Sequence, residues 1–436
     1  METLAFGYLM ALLLCLLSGA AVTALFSRTP RLAGWLSVAF VLVALLLAKG
    51  IGAHMYMGGG PVAGQLFEIP LLGSALVFHV DDLSLLLLVA ILFVGLWAAV
   101  FSVEYVPHIK DGQPAVFYPL FLLFLLGMCL VVTVWDLLFF VLAWEFMSLP
   151  AYLLVAYEYR RPENLRAALK YFILTHIGNL GMFIGALIIF SRTSSFSFPD
   201  AQSMLAQLSQ SHPWLTNLIL ALFVLAFATK AGLFPTGDWL PDAHPAAPSS
   251  VSAMLSGVMI KMGPYGVLRL FFWVLAARAV PENWLVAWGL VLATWGAVSI
   301  LLGSSAALAC NDSKRLLAYS SISQSGYIFL GIGVALAALR SAPLVGAVAL
   351  VGSLFHIVAD ALHKSTLFLT AGSVLYKTGE RDLNKLGGLE RYMPGTALAA
   401  LASGMSLAGL PLTAAFVSKW MLVQSTLAAG ERHAVL

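Results

Sequence analysis

The sequence predicts an all-α polytopic protein that crosses a membrane about twelve times. Three observations predict it. Of the 436 residues, 61% are hydrophobic and only 10% charged, where soluble domains carry about 25% charged residues. Apolar runs of about 18 or more residues recur along the whole length, each able to cross a hydrocarbon core roughly 30 Å thick. Lipid offers no partner for backbone N–H and C=O groups, so each span must bond them within itself, as a helix does.

In chain order, the first span (4–26) has no basic stretch ahead of it and reads as a retained helix, not a cleaved leader. Spans follow at 32–50, 81–105, 116–134, 137–157, 167–190, 215–243, 249–275, 284–303, 317–338, 343–376 and 396–428. Asp136 stands just before the fifth span and is expected to cap it. The longest loops, 51–80 and 191–214, hold Gly, Pro, Ser and isolated charges, with no room for a soluble domain. Residues 201–210 are expected to form a short surface helix.

Lys and Arg in the loops set the orientation. The odd-numbered loops carry twelve: Arg28, Arg31, Lys110, Arg160, Arg161, Arg166, Lys314, Arg315, Lys377, Arg381, Lys385 and Arg391. The even loops and the tail carry five: Lys49, Arg192, Arg278, Arg340 and Arg432. The odd loops are therefore expected on the cytoplasmic side of a bacterial inner membrane, and the N-terminus outside. A net charge of +3 without a basic patch larger than a loop excludes a nucleic-acid surface. Cys15, Cys129 and Cys310 show no ligand spacing, so neither a disulfide nor a metal site is expected.

Six of the 23 basic residues fall inside predicted spans. Lys170 and Arg269 lie near span ends, where long side chains reach water, and read as structural. Lys230, Lys261, Lys364 and Lys419 lie deeper, as do the acids Glu145 and Asp360. A lysine at a helix centre costs about 2.5–3.5 kcal/mol on insertion scales. Four of them would cost roughly 10–14 kcal/mol without compensation, which is a protein's whole stability. Each must face protein or water and find a partner. Burial disfavours a lysine's charged form and lets it change charge, which is what a proton path needs. In "HIVADALHKSTLF", His356, Asp360 and Lys364 recur at i, i+4 and i+8 on one helix face, with His363 beside them. An acid flanked by bases on one face fits a hydrogen-bonded relay. The bland alternative is one Asp360–Lys364 ion pair with two packing histidines.

Three of the deep lysines lie near an expected helix break. Pro235 follows Lys230 in "FATKAGLFPTGDWLPDAHPAAP" and should free carbonyls near Ala231. Pro264 follows Lys261, and Pro411 precedes Lys419. Broken helices near the midplane mark ion sites in transporters.

The segments "WEFMSLPAYLL", "KAGLFPTGDWLPDAHPAAPSSVSAMLSGVMIKMGPYGVLR", "SKRLLAYSSISQSGYIFLGIG", "HKSTLFLTAGSV" and "GLPLTAAFVSKW" resemble one family. It comprises the antiporter-like subunits: chains L, M and N of respiratory NADH–quinone reductase, large subunits of Mrp cation/proton antiporters, and membrane subunits of formate hydrogenlyase and membrane-bound hydrogenases. The resemblance spans roughly residues 80–425. It implies an N-terminal three-helix region (1–110) and two inverted five-helix repeats, 111–280 and 281–436. These would be helices 4–8 and 9–13, with helices 7 and 12 broken. The second repeat would be incomplete after helix twelve, as in a truncated chain. It further implies that Glu145 pairs with Lys230, that Lys261 is the central lysine, and that Lys419 is the distal one. Asp360 stands where the family has His or Asn. The stretch "HPAAPSSVSAMLSGVMIK" leans towards the hydrogenase-type or Mrp-type branches over chain L.

The function so implied is a proton-translocating subunit of a redox-driven pump, working beside other membrane subunits and the lipid bilayer. The chain would be a transducer and not a catalyst. It shows no Gly-rich nucleotide loop, Cys₄ cluster or haem motif, so no cofactor is expected. The alternatives are an Mrp-type Na⁺/H⁺ antiporter subunit, an unrelated solute carrier, and a structural membrane anchor.

Overall fold

A computed structural model describes residues 2–109, 112–274 and 280–431. Lys110, Arg278 and Arg432, three of the loop charges counted above, lie outside the described residues, as does the tail after Glu431.

Among the described residues, eleven helices are long and apolar enough to cross a membrane. They occupy the first eleven predicted spans. The twelfth is split into Pro394–Ala408 and Ala414–Gly430, of 15 and 17 residues, each too short to span alone. In chain order the elements are α1 (Glu2–Leu25), α2 (Pro30–His54), β1 (Val62–Ile69), β2 (Ser74–Val80), α3 (Asp82–Tyr105), α4 (Pro114–Thr133), α5 (Leu137–Val155), α6 (Pro162–Thr193) and α7 (Phe198–Ser211). There follow α8 (Pro213–Ala231), α9 (Leu240–Ala246), α10 (Ser249–Gly257), α11 (Met262–Leu268), α12 (Glu282–Leu308), α13 (Ser313–Ala337), α14 (Pro343–Thr378), α15 (Pro394–Ala408) and α16 (Ala414–Gly430).

The chain divides into two compact units, Met1–Met204 with Ala246–Val258, and Leu205–Pro245 with Met259–Leu436. In the first, the expected loop 51–80 is instead largely an antiparallel hairpin, with Val62 opposite Val80 and Ile69 opposite Ser74. The strand "SALVFHV" has the β-branched and aromatic content that favours a pleated surface. Asp136 caps α5 as expected, accepting from the Leu138 and Phe139 amides at 3.0 and 3.2 Å. It also accepts from the Ser74 hydroxyl at 2.9 Å, which fastens the hairpin to the start of α5. The expected surface helix is α7, which buries Ala201, Leu205 and Leu208 and exposes its other face.

In the second unit, α12 and α13 approach closely because Gly289, Gly296 and Gly303 recur every seven residues along one face. A Cβ at Gly289 would lie 2.6 Å from the Gly333 carbonyl oxygen, and one at Gly303 would lie 2.7 Å from the Ser323 nitrogen. Only a small residue permits this approach between membrane helices.

Both broken spans of this unit use one device. The helix α8 ends in "AGLFPT" and α15 ends in "AGLPLT". Gly232 (φ 79°) and Gly409 (φ 78°) take the left-handed conformation that glycine alone adopts without penalty. The Leu233 amide then bonds the Ala228 carbonyl, and the Leu410 amide bonds the Met405 carbonyl, each at 3.0 Å. This is the usual glycine closure of a helix C-terminus. The prolines Pro235 and Pro411 therefore follow breaks that the glycines have already made. Backbone groups at the first break are satisfied by side chains. The Trp239 indole donates to the Thr229 carbonyl at 2.9 Å, and the Trp295 indole to the Phe234 carbonyl at 2.6 Å. The third break also differs from expectation. The helix α10 ends at Gly257, a 3₁₀ turn covers Met259–Lys261, and α11 starts at Met262. The break lies before Pro264, which sits in the first turn of α11, where its missing N–H costs nothing.

Candidate functional site

The helix α14 runs unbroken for 36 residues and buries His356, Asp360, His363 and Lys364. Asp360 is fully buried and accepts from the Lys261 ammonium, itself buried, 99 residues earlier in the chain. Its other oxygen lies 2.9 Å from His363 Nε2. Two lone-pair-bearing oxygens thus meet two nitrogen donors, which is the pairing a buried carboxylate requires. Lys261 reaches Asp360 from the 3₁₀ turn between α10 and α11. Close packing at Gly263, where a Cβ would lie 2.7 Å from the Ala231 Cβ, sets that turn against the end of α8. The chain segments carrying Lys230 and Lys261 are thereby neighbours, and Lys230 is 1% exposed.

Lys364 does not pair with Asp360, contrary to the i, i+4 expectation. Its ammonium donates to the Leu317 carbonyl at 3.0 Å and to the Ser320 hydroxyl, both on α13. Asp360 is occupied by Lys261 from another element, and Lys364 turns to the neighbouring helix. His363 continues outward, with Nδ1 3.4 Å from the Ser406 hydroxyl on α15. His356 Nδ1 lies 2.9 Å from the Ser418 hydroxyl on α16. That hydroxyl donates to the Ala415 carbonyl, so Nδ1 is the donor to it. Lys419, next to Ser418, is half-buried. It donates to the Leu407 carbonyl at 2.7 Å and lies 4.9 Å from the centre of the Tyr327 ring. The second unit thus brings Lys261, Asp360 and His363 into direct contact. It sets His356 against Ser418 of α16, the residue next to Lys419.

Two residues behave otherwise than expected. Glu145 is not as deep as Asp360, because its side chain is 31% exposed against 0%. Within its own unit it pairs with His176 on α6, at 2.9 Å. Glu145 belongs to the first unit and Lys230 to the second. Arg269 does not reach for water. It is 4% exposed and lies between the rings of Tyr265 (5.0 Å) and Trp273 (4.8 Å), one turn before and after it, which stabilise a cation without hydration.

Sequence reasoning missed three groups. His176 carried no motif and lay in a span whose other basic residue, Lys170, was read as structural. His244 is fully buried and stacks on Phe368, one turn beyond Lys364, with ring centres 4.7 Å apart. Lys314, counted as a loop charge, sits in the first turn of α13 and is 2% exposed. The "HPAAP" that follows the first break was the available signal for His244. For Lys314, the Asp312 cap two residues earlier marked a helix start.

A bundle of membrane-spanning helices with opposed buried charges beside broken spans defines a polytopic membrane protein that keeps ionisable groups inside its spans. The particular family follows from comparison. The signature described as "NADH:quinone oxidoreductase/Mrp antiporter, TM" matches residues 135–436, and the chain belongs to that family. It is 33% identical over 371 residues to hydrogenase-4 component B of Escherichia coli, covering 85% of this chain and 54% of that one. It is 35% identical over 393 residues to NADH-quinone oxidoreductase subunit N of Desulforudis audaxviator, covering 89% and 72%. A chain in the solved Mrp complex from a Dietzia species superposes with a TM-score of 0.83 at 27% identity, over 99% of this chain and 76% of that chain. This chain spans about half the length of the hydrogenase relative.

Proposed function

We propose that this chain is a proton-translocating subunit of a multisubunit, redox-driven complex of the NADH–quinone reductase or membrane-bound hydrogenase type. The observation that carries the reading is the buried contact of Lys261 with Asp360 and His363. It joins an ammonium, a carboxylate and an imidazole, all buried, beside a broken helix. Such groups are costly in a membrane and mark ion paths there. Protons enter near Lys230, whose charge Glu145 modulates, and pass by Lys261, Asp360, His363, His356 and Lys364 to Lys419. The broken helices at Pro235, Pro264 and Pro411 give the lysines room to exchange partners. Two inverted repeats, 111–280 and 281–436, each supply half of the path. The N-terminus lies outside a bacterial inner membrane, and other membrane subunits flank the chain. The likeness to a chain of an Mrp complex favours, as the second reading, a cation/proton antiporter subunit.

The test is proton flux in sealed vesicles holding the assembled complex, comparing wild type with Lys230→Ala and Lys261→Ala. Loss of flux with the subunit still assembled supports the relay. Unchanged flux makes these lysines structural and removes the proposed path. Flux that depends on external Na⁺ favours the antiporter reading.

A further inference from the structure

The Glu145–His176 contact holds more than an ion pair. His176 Nδ1 lies 2.8 Å from the Phe172 carbonyl oxygen, one turn earlier on α6. A carbonyl only accepts, so Nδ1 carries a hydrogen. The other ring nitrogen, Nε2, lies 2.9 Å from Glu145 Oε2. If Nε2 and the carboxylate were both bare, two lone pairs would face each other at hydrogen-bond distance. One proton therefore lies between them, on Nε2 as imidazolium–carboxylate or on Oε2 as neutral imidazole and carboxylic acid.

We propose that Glu145 and His176 form a one-proton dyad, and that His176, through the proton it shares, sets when Glu145 carries a net charge. With the proton in place the dyad is neutral as a whole. When the proton leaves, the dyad carries one negative charge, and Glu145 then acts electrostatically on its surroundings. The inference deepens the proposed function and rests on it, because it names the group that gates Glu145.

Charged groups are sparse on the elements that pack against α5 within this unit. The helices α4 and α10, which pack against α5, carry no Asp, Glu, Lys, Arg or His. On α5, the other charged group at hand is Asp136, more than two turns away, and Ser148 is the nearest hydroxyl. On α6, Lys170, Arg166 and Glu163 lie towards its N-terminus and Arg192 at its far end. On β2, His79 stacks against Trp135 at 4.8 Å. The Phe172 ring covers the imidazole, with centres 3.8 Å apart, and fixes its orientation. Both dyad side chains are about one-third exposed, at 31% and 29%. Exposed leucines and isoleucines flank them on the same two helices, among them Leu142, Leu149, Ile173 and Ile177. The dyad thus sits at an apolar outer face of this unit.

The test measures proton flux against pH for the assembled complex carrying wild type, His176→Gln, His176→Ala or Glu145→Gln. It is joined by infrared difference spectra of the carboxyl stretch in the same samples. The expected result is a pH profile displaced by at least half a unit in both His176 variants, with maximal flux within threefold of wild type. A carboxyl band that Glu145→Gln deletes should shift in frequency in His176→Gln. If Glu145→Gln abolishes flux while both His176 variants keep the wild-type profile and band, the dyad is overturned and the wider proposal stands. If Glu145→Gln leaves flux unchanged, the role assigned to Glu145 fails, and the dyad with it. His176→Gln keeps the bulk and hydrogen bonding of the ring's edge, so the comparison remains decisive if His176→Ala does not assemble.

Discussion

Replacing Asp360 with Asn separates charge from shape at the centre of the second unit. The Asn carbonyl still accepts from His363, so that bond, 2.9 Å in the wild type, can persist. What disappears is the negative charge facing Lys261. Both side chains are essentially buried, at 1% and 0% exposure. Removing one partner of a buried pair leaves the other unpaired and costs about 3–5 kcal/mol. Asp360→Asn alone and Lys261→Met alone should each lose about that much, because each strands one group. The double variant strands neither and should be more stable than either single one. The assay is unfolding of the purified chain in nanodiscs, followed by circular dichroism, with flux measured beside it. Flux should be lost in all three variants, since the relay needs both groups. A double variant as unstable as the two single losses added together would refute the reasoning, because the cost would then come from packing and not from charge. Flux retained in the stable double variant would refute the relay.

Gly409→Ala should cost about 1–2 kcal/mol in thermal unfolding, because an L side chain pays a steric penalty in the left-handed region and its Cβ would lie 3.1 Å from the Lys419 side chain. Asp136→Ala should cost about 1–2 kcal/mol through the lost cap. Burial pushes the Asp136 carboxyl above the usual carboxylate range, against the four hydrogen bonds that favour its charged form. The folded chain therefore keeps that proton to higher pH than the unfolded chain. This contribution to stability falls as pH rises through the raised value, and Asp136→Asn should flatten the slope in unfolding measured across that range. Lys314→Met should lower flux at least tenfold without loss of assembly, since Lys314 lies buried one turn before Leu317, whose carbonyl accepts from Lys364; wild-type flux would make it structural.

Much of this was legible in the sequence because hydrocarbon imposes one rule on every span. Spans of the right length must be helices, so all twelve positions could be read from apolar runs alone. The hairpin was missed for the same reason. A reading that expects helices sees 51–80 as a loop, although "SALVFHV" alternates over a half-buried surface. The first and last breaks were legible as to place but not as to cause, because proline attracts attention and the glycine three or two residues earlier makes the turn. In the site, helical spacing correctly put His356, Asp360 and Lys364 in one buried region. It gave the wrong partner for Asp360, since spacing along one helix knows nothing of a lysine arriving from 99 residues away. His176 was invisible because the few polar residues of its span, Lys170, Thr175, His176 and Asn179, form no helical repeat of ionisable groups as those of α14 do.

The orientation count also changes in its evidence without changing its sign. Lys314 is buried and cannot report on the loop it was assigned to. Removing it, and removing Lys110, Arg278 and Arg432, leaves ten basic residues on the odd side and three on the even. The burial that disqualifies Lys314 as a topological marker points to a general feature of this fold. Lys230 lies in the last turn of α8, and Lys419 donates into the last turn of α15. A helix C-terminus carries about half a negative charge, from carbonyls that the next turn would otherwise bond. Breaking a helix inside the membrane therefore creates a partial anion at that depth without adding a carboxylate. Its stabilisation of a nearby cation is about 0.3–1 kcal/mol and up to about 2 kcal/mol in partly buried geometry. That is less than the roughly 2.5–3.5 kcal/mol cost of a lysine at the helix centre. Lys261, by contrast, faces a whole carboxylate. In the proposed path, a helix break beside a lysine would therefore supply a partial counter-charge at membrane depth without a second carboxylate.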